Sequence, residues 1–512
     1  MNKQKNVTTS TEGVDTVTIL ITEMISQIES LTETIKFLTE TNKALIEVNT
    51  NLNKEIVDLK SANAKQEIKI AELEARLNKN SSNSSKPPSG DGYRKKAPIN
   101  SREKSGMSTG GQLGHVGNTL DKVPNPDKVI EFKIQEICDC GCNLENTEST
   151  QKTRQIFDIP KPQIEVTEYV TNNKVCPECG KIHKTEFPPE VTQPTQYGEN
   201  IHTLMNYLTL YQLIPLSRAV EAIHAFTGQS VSEGTLVNAA KALYEILDGP
   251  VEAIKNQIIN TNVVHFDETG ARCEGETIWL HAACTEKLTF LEVNDNRGVQ
   301  AGLDIDILPN FTGVAVHDHW KPYYCFKDCT HAECNAHNLR YLRDIAENYH
   351  QDWANEMSSL LIEIKIRVKD LNSQGLFEMP NEEIHLWQKR YHNIIEKGIL
   401  EDAEKSPQIL NKKGKLTKSK ALQLLFKLRD YDIETLAFMY DFNIPFDNNL
   451  AERDIRMQKL RQKISGCFRS KEGAKISCRV RSYIYTARKN GIDALEAIAR
   501  ALQGQPFIPE VQ

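Results

Sequence analysis

The 512-residue chain contains no run of 18 apolar residues, and its opening "MNKQKNVTTSTEGVDT" has no apolar signal core. Neither a membrane span nor an export leader is expected, which places the protein in the cytoplasm. The twelve cysteines are then reduced thiols or metal ligands rather than a disulfide framework. Net positive charge is lacking as well: 62 Lys and Arg stand against 69 Asp and Glu, a formal charge of −7. That deficit argues against a nucleic-acid partner only if charge is spread evenly. It is not. Arg453 to Lys489 holds twelve cations against two acids, and Lys86 to Lys104 holds six against two. Two basic zones in an otherwise acidic chain point to contact with a polyanion, solvated surface charge being the plain alternative.

Such a length suits roughly three or four structural units. After a polar tail (residues 1–20), Ile21, Ile28, Ile35, Asn42, Asn49, Ile56, Asn63, Ile70 and Leu77 recur every seven residues. Met24, Leu31, Leu38, Leu45, Leu52, Leu59, Gln66 and Leu73 fill the second seam. Ile at a with Leu at d favours two parallel strands, and Asn at a fixes register, so residues 21–78 are expected to form a parallel coiled coil that makes the chain a homodimer or higher oligomer. Residues 79–128, rich in Ser, Asn, Gly, Pro and cations, are too poor in apolar groups to bury a core and read as a flexible basic linker.

Residues 129–190 carry "ICDCGCN", with Cys138, Cys140 and Cys142, and "VCPECGKIH", with Cys176 and Cys179. Cys-Pro-x-Cys-Gly is a zinc-knuckle turn, and two knuckles build a tetrahedral thiolate site. The first knuckle is irregular: Cys140 pairs with either Cys138 or Cys142, leaving one cysteine spare. Residues 191–258 have helical periodicity, and "TGQSVSEGTL" resembles the corner of a helix-turn-helix, so a helical DNA-binding region is expected there.

From Asn262 the texture changes to strands. "NVVHFDETG" is an apolar run ending on Asp267 and Glu268; "GVAVHDHW" ends on Asp318. Singly, each aspartate could be a strand-end turn cap. Two of them gathered at one sheet end would be costly without a cation, and hard carboxylate oxygens suit Mg²⁺ or Mn²⁺. Further on, "IPFDNNLAERDIRMQKLR" places Glu452 beside a run of cations, and "NLAE" reads as a capping box in which Asn449 caps a helix and Glu452 reaches back to it.

"HFDETG", "VHDHW", "HAECNAHNLRYL", "DNNLAERDIR" and "ARKNG" together resemble the insertion sequence 66 family of bacterial transposases, as do "NSSNSSKPPS", "RQIFDIP" between the knuckles, and "QYGENI". The likeness covers nearly the whole chain, in order. It implies a multidomain α+β protein whose ribonuclease-H-like α/β catalytic core is split into residues 259–345 and 436–512 by a helical insertion, residues 346–435. It implies an Asp-Asp-Glu triad at Asp267, Asp318 and Glu452. Two divalent ions held by such acids activate a nucleophile and neutralise the leaving oxygen, first for hydrolysis at the element's ends and then for attack of the freed 3′-hydroxyl on target DNA. A structural Zn²⁺ would sit in the knuckles. Arg453, Arg456, Lys459, Arg461, Lys463, Arg469 and Lys471 are the expected DNA contacts. His317, His319, Trp320, His331, Cys334, His337, Asn448 and Asn449 are expected to support the centre. His331, Cys334 and His337, with Cys325 and Cys329 nearby, admit a second zinc site as the alternative. The partners implied are element-end and target DNA in the nucleoid and small accessory proteins of the same element. Two rival functions are a catalytically silent DNA-binding descendant and a ribonuclease-H-like nuclease or resolvase.

Overall fold

The computed structural model describes residues 12–80, 83–84, 120–159, 164–405 and 418–510. The expected tail up to residue 11 and most of the expected basic linker, residues 85–119, lie outside the described residues. Helix α1 runs Glu12–Leu77 without interruption. Beyond Gly13 it contains neither Gly nor Pro, so nothing breaks its hydrogen-bond ladder. Its heptad residues Ile21, Met24, Ile28, Leu31, Ile35 and Leu38 all lie exposed.

The cysteine segment has little regular structure beyond the hairpin β1 (Asn173–Val175) and β2 (Ile182–Lys184). Helix α2 (Glu199–Asn206) runs on into a π-helical turn at Tyr207–Tyr211, and α3 (Leu216–Thr227), α4 (Glu233–Ile246) and α5 (Asp248–Ile259) follow. Gly228, at φ +73°, ends α3, and the Ser232 hydroxyl caps α4 by accepting the Thr235 amide at 3.0 Å. Met205, Ala219, Ile223, Val231, Leu236 and Ala239 form a small core around this corner.

The central sheet is built from β3 (Val263–Cys273), β4 (Glu276–Cys284), β5 (Thr289–Asn294), β6 (Val314–His317) and β7 (Thr330–Glu333), with α6 (Val299–Ile305) between β5 and β6. The strand order is β5-β4-β3-β6-β7; β3, β4 and β5 pair antiparallel, and β6 and β7 continue parallel to β3. Strand β3 does not stop at Asp267. It runs six residues further, to a two-residue turn at Glu274 and Gly275 with φ of +51° and +86°, both left-handed as a type I′ hairpin requires. Gly313 immediately precedes β6, where the chain crosses closely over residues 261–262: a Cβ there would lie 2.5 Å from the Asn262 carbonyl.

Helices α7 (Asn335–Tyr349), α8 (Trp353–Ser373), α9 (Asn381–Lys405), α10 (Lys420–Asp430), α11 (Asp432–Thr435), α12 (Ala437–Tyr440), α13 (Asn449–Ser465), α14 (Lys471–Lys489) and α15 (Ala494–Leu502) complete the chain. Two compact units result. One comprises α1 with residues 339–360 and 386–430; in it Gly398 lets α9 press against Trp353 and Leu425, and the Tyr391 hydroxyl donates to the Leu428 carbonyl at 2.8 Å. The other holds the sheet. Its edge strand β5 is covered by α14, whose Thr486 and Ser482 hydroxyls accept the Thr289 and Leu291 amides at 3.0 and 2.8 Å. That supplies the partners an edge otherwise leaves to solvent or to another chain.

Candidate active centre and zinc module

Parallel pairing of β3 with β6 matches His265 to Val316, so Asp267 and Asp318 each lie two residues beyond the same paired position. Burial pushes the Asp267 carboxyl well above the usual carboxylate range, and the negative charges of Glu268, Glu452 and Asp318 push it further. Asp267 therefore feels the charge of both other expected acids. Asp318 is oriented by the Trp320 amide, which donates to its Oδ1 at 2.9 Å. Glu268 is compensated locally: Arg297 donates to its Oε1 through Nε at 2.9 Å and lies within 2.8 Å through Nη2, while the Tyr323 hydroxyl donates to Oε2 at 2.5 Å. Arg297 is itself held between Trp320 and Trp279, at 3.8 and 4.8 Å from the ring centres.

Glu452 arrives on the first turn of α13, and the cap differs from the expected box. Asn448, not Asn449, is the N-cap, and its side chain makes no cap hydrogen bond. Asp447 Oδ1 accepts the Asn449 amide at 3.1 Å instead. The Asn448 amide side chain crosses to β3, where Nδ2 donates to the Phe266 carbonyl at 2.7 Å and Oδ1 faces His265 Nδ1 at 2.8 Å. Its backbone amide donates to Cys334 Sγ at 3.1 Å. The start of α13 is thereby pinned to the residue preceding Asp267. Glu452 turns its Oε1 to within 3.6 Å of His337 Nδ1.

Of the histidine and cysteine motif beside Asp318, Cys334 and His337 gather with Glu452, their donor atoms within 4.8 Å of one another. Burial first, then the Glu452 charge, raises the Cys334 thiol to about 12. His331 goes elsewhere: its Nδ1 faces His317 Nε2 at 3.0 Å and its Nε2 faces the Phe326 carbonyl at 2.9 Å. His331, Cys334 and His337 thus do not form one ligand set. His317 is stacked on Tyr323 at 4.6 Å, with Nδ1 against the Asp318 carbonyl, and burial lowers it to about 3. His319 pairs with Glu333, which also accepts from Tyr324 and Asn338.

Residues 194–476, more than half of the chain and including all three acids, match the family model described as Transposase IS66 family. The chain belongs to the IS66 transposase family. Residues 135–180 match the zinc-finger binding domain of transposase IS66, and residues 8–121 match a family of unknown function. No curated protein matches the chain.

Membership supports a structural zinc ion in residues 135–180 of this transposase-family chain, and the cysteines present suit one. In the second knuckle Gly180, at φ +72°, donates to the Cys176 carbonyl at 2.9 Å, and Cys176 donates to the Lys181 carbonyl at 2.9 Å. The amides of Cys179 and Glu178 point at the Cys176 sulfur and lower its pKa, favouring the thiolate that zinc requires. The first knuckle repeats the design one residue shorter. Gly141, at φ +87°, donates to the Cys138 carbonyl at 2.7 Å, and the Cys140 amide and thiol lower Cys138. Cys142 turns its Sγ toward the Asn143 carbonyl at 3.7 Å. In the first knuckle the Cys140 amide thus serves the Cys138 sulfur, whereas the Cys142 sulfur is directed at the next residue's carbonyl.

The basic run divides in two. Arg453, Arg456, Lys459, Lys463, Arg469 and Lys471 are exposed. Arg461 is not among them: it is half-buried over the Phe468 ring at 4.0 Å, and burial lowers it to about 10. Lys459 donates to the Gly270 carbonyl at 3.0 Å and feels the Asp267 charge, which places a cation at the centre's rim. Lys471 pairs with Asp295 at 2.7 Å. Reading the sequence alone missed Arg297, Trp279 and Tyr323. No local spacing joins them to Glu268, although "DETG" does put Glu268 next to Asp267.

Proposed function

We propose that this chain cuts the ends of a mobile DNA element and joins the freed 3′-hydroxyl to target DNA, with Asp267, Asp318 and Glu452 holding two Mg²⁺ or Mn²⁺ ions. The observation that carries this is the negative charge crowded on buried Asp267. Burial and three neighbouring negative charges oppose ionisation of Asp267, whereas Glu268 has its own guanidinium. The carboxylate oxygens of Asp267, Asp318 and Glu452 suit a hard divalent cation, with Cys334 and His337 standing beside Glu452. Such ions, when bound, activate a water or hydroxyl and neutralise the leaving oxygen. The chain's own residues do the positioning. Asn448 fixes the origin of α13, the Trp320 amide orients Asp318, and His337 flanks Glu452. Exposed Arg453 and Arg456 lie on the same helix as Glu452 and can meet backbone phosphates by charge-assisted hydrogen bonds.

The five-stranded order, antiparallel then parallel about β3, supports the ribonuclease-H-like reading of the core. The α3–α4 corner supports a DNA-contacting role for residues 191–258, and the exposed heptad face of α1 supports self-association. No helix among the described residues is long and apolar enough to cross a membrane.

The test combines purified protein, element-end DNA, a target plasmid and Mg²⁺ or Mn²⁺, with Asp267→Asn in parallel. Joined products from the wild type alone support the proposal. Cleavage without joining converts the reading to a nuclease, and metal-independent binding with no cleavage converts it to a DNA-binding protein.

A further inference from the structure

A cavity of about 510 Å³ opens between α13, α14 and the π-helical turn after α2. Five cations line it: Arg453, Arg456, Arg481, Arg488 and Lys489, against the single acid Asp454. That acid is already satisfied. Lys489 Nζ lies 2.6 Å from its Oδ2, and the Thr289 hydroxyl donates to the same oxygen at 2.8 Å. Among the described residues, Arg456, Arg481 and Arg488 form no ion pair.

Arg481 sets the chemistry. Its side chain is 0 % exposed, and every partner it has is neutral. Nη1 donates to the Tyr485 hydroxyl at 3.0 Å, Nη2 donates to the Tyr211 carbonyl at 3.2 Å, and Nε is buried with no partner. A guanidinium out of water without an anion is among the least favourable arrangements a core can hold. A second half-buried cation, Arg461, sits near enough to feel its charge. A phosphate held by the exposed Arg456 and Arg488 sets a compensating negative charge over buried Arg481, and guanidinium donors match phosphate oxygens in pairs. The walls add specificity. Tyr211 and Tyr485 line the same space, with Arg488 5.4 Å from the Tyr211 ring, giving surfaces on which a base or sugar can rest. The volume lies within the range of small-ligand pockets, with room for more than a bare phosphate.

We propose that this cavity seats a nucleotide phosphate, supplied by the DNA strand that passes the acid cluster. The choice of DNA as source rests on the proposed function; the anion chemistry does not. Arg456 stands four residues from Glu452 on α13, about 6 Å along the axis, near enough for one strand to meet both. A strand cut at the acids would place a neighbouring phosphate at the cavity mouth.

The experiment uses the full chain in EDTA, so that metal at the acids contributes nothing. Affinity for a 5′-phosphorylated single-stranded oligonucleotide is measured by anisotropy from low to moderate salt, for wild type, Arg488→Gln and Arg481→Lys. Arg488 is exposed, so its loss leaves the core intact. The expected result is at least a tenfold loss of affinity in Arg488→Gln, with the salt slope reduced by about one. Arg481→Lys, which keeps the charge and loses the guanidinium, is expected to lose affinity as well. Deoxynucleoside monophosphate and inorganic phosphate are run as competitors. Displacement by the nucleotide at micromolar concentration assigns the site to a free nucleotide and overturns the DNA source. Unchanged affinity and slope in both variants overturn the site itself. Asp267→Asn separates the two readings: if it abolishes no cleavage, the proposed function fails while the cavity result still stands on binding alone.

Discussion

Replacing Asn448 with alanine should damage the active centre without touching an acid. Its side chain is buried and makes two contacts, with the Phe266 carbonyl at 2.7 Å and with His265 Nδ1 at 2.8 Å. Alanine leaves both partners buried and unmatched, at about 1–3 kcal/mol each, so about 3 kcal/mol is a conservative sum. Against a total stability of about 5–15 kcal/mol the protein still folds, and the loss is felt where α13 meets β3. Hydrogen exchange over residues 449–458 should therefore speed about a hundredfold, since about 1.4 kcal/mol corresponds to tenfold. A shift of about 1 Å in Glu452 would lower metal-dependent cleavage by about a hundredfold. Asn449→Ala is the control. Asn449 is exposed and its amide is capped by Asp447, so its loss should stay within about 0.5 kcal/mol. Equal behaviour of the two variants would refute the positioning role and restore a simple capping box.

Metal-free stability should fall as pH rises from the ordinary carboxylate range through the raised pKa of Asp267, because the folded state there holds a proton the unfolded state has released. Asp267→Asn should flatten that dependence and raise the melting temperature in EDTA; a steeper fall would contradict it. Zinc content, read with a chromogenic chelator, should stay at the wild-type level in Cys142→Ser and drop in Cys138→Ser, Cys140→Ser and Cys176→Ser. Equal loss in all four would remove the distinction drawn from the first knuckle. Deleting residues 1–78 should lower the mass seen by light scattering, and an unchanged mass would exclude α1 as the oligomerisation element.

What was legible in the sequence was local. The heptads of residues 21–77, the apolar runs before Asp267 and Asp318, and the Cys-x-x-Cys-Gly turn each carry their own periodicity or spacing. The misreadings arose where partners lie far apart in the chain. Strand β3 outruns Asp267 because Glu274, not the usual Asn or Asp, begins the hairpin turn beside Gly275. The "NLAE" motif satisfies a capping box on paper, but Asn448 is drawn off by Phe266, some 180 residues earlier. Arg461 reads as one more cation in a basic run until Phe468 folds beneath it. The clamp on Glu268 needs Trp279, Arg297, Trp320 and Tyr323 from different elements, a juxtaposition that only the sheet creates.

The central claim is that Asp267, Asp318 and Glu452 form one divalent-metal centre, and Mn²⁺ binding followed by electron paramagnetic resonance tests it most directly. Wild type should bind the ion at the acids, and Asp267→Asn, Asp318→Asn and Glu452→Gln should each weaken that binding at least tenfold. Wild-type affinity retained in any two of the three would contradict it.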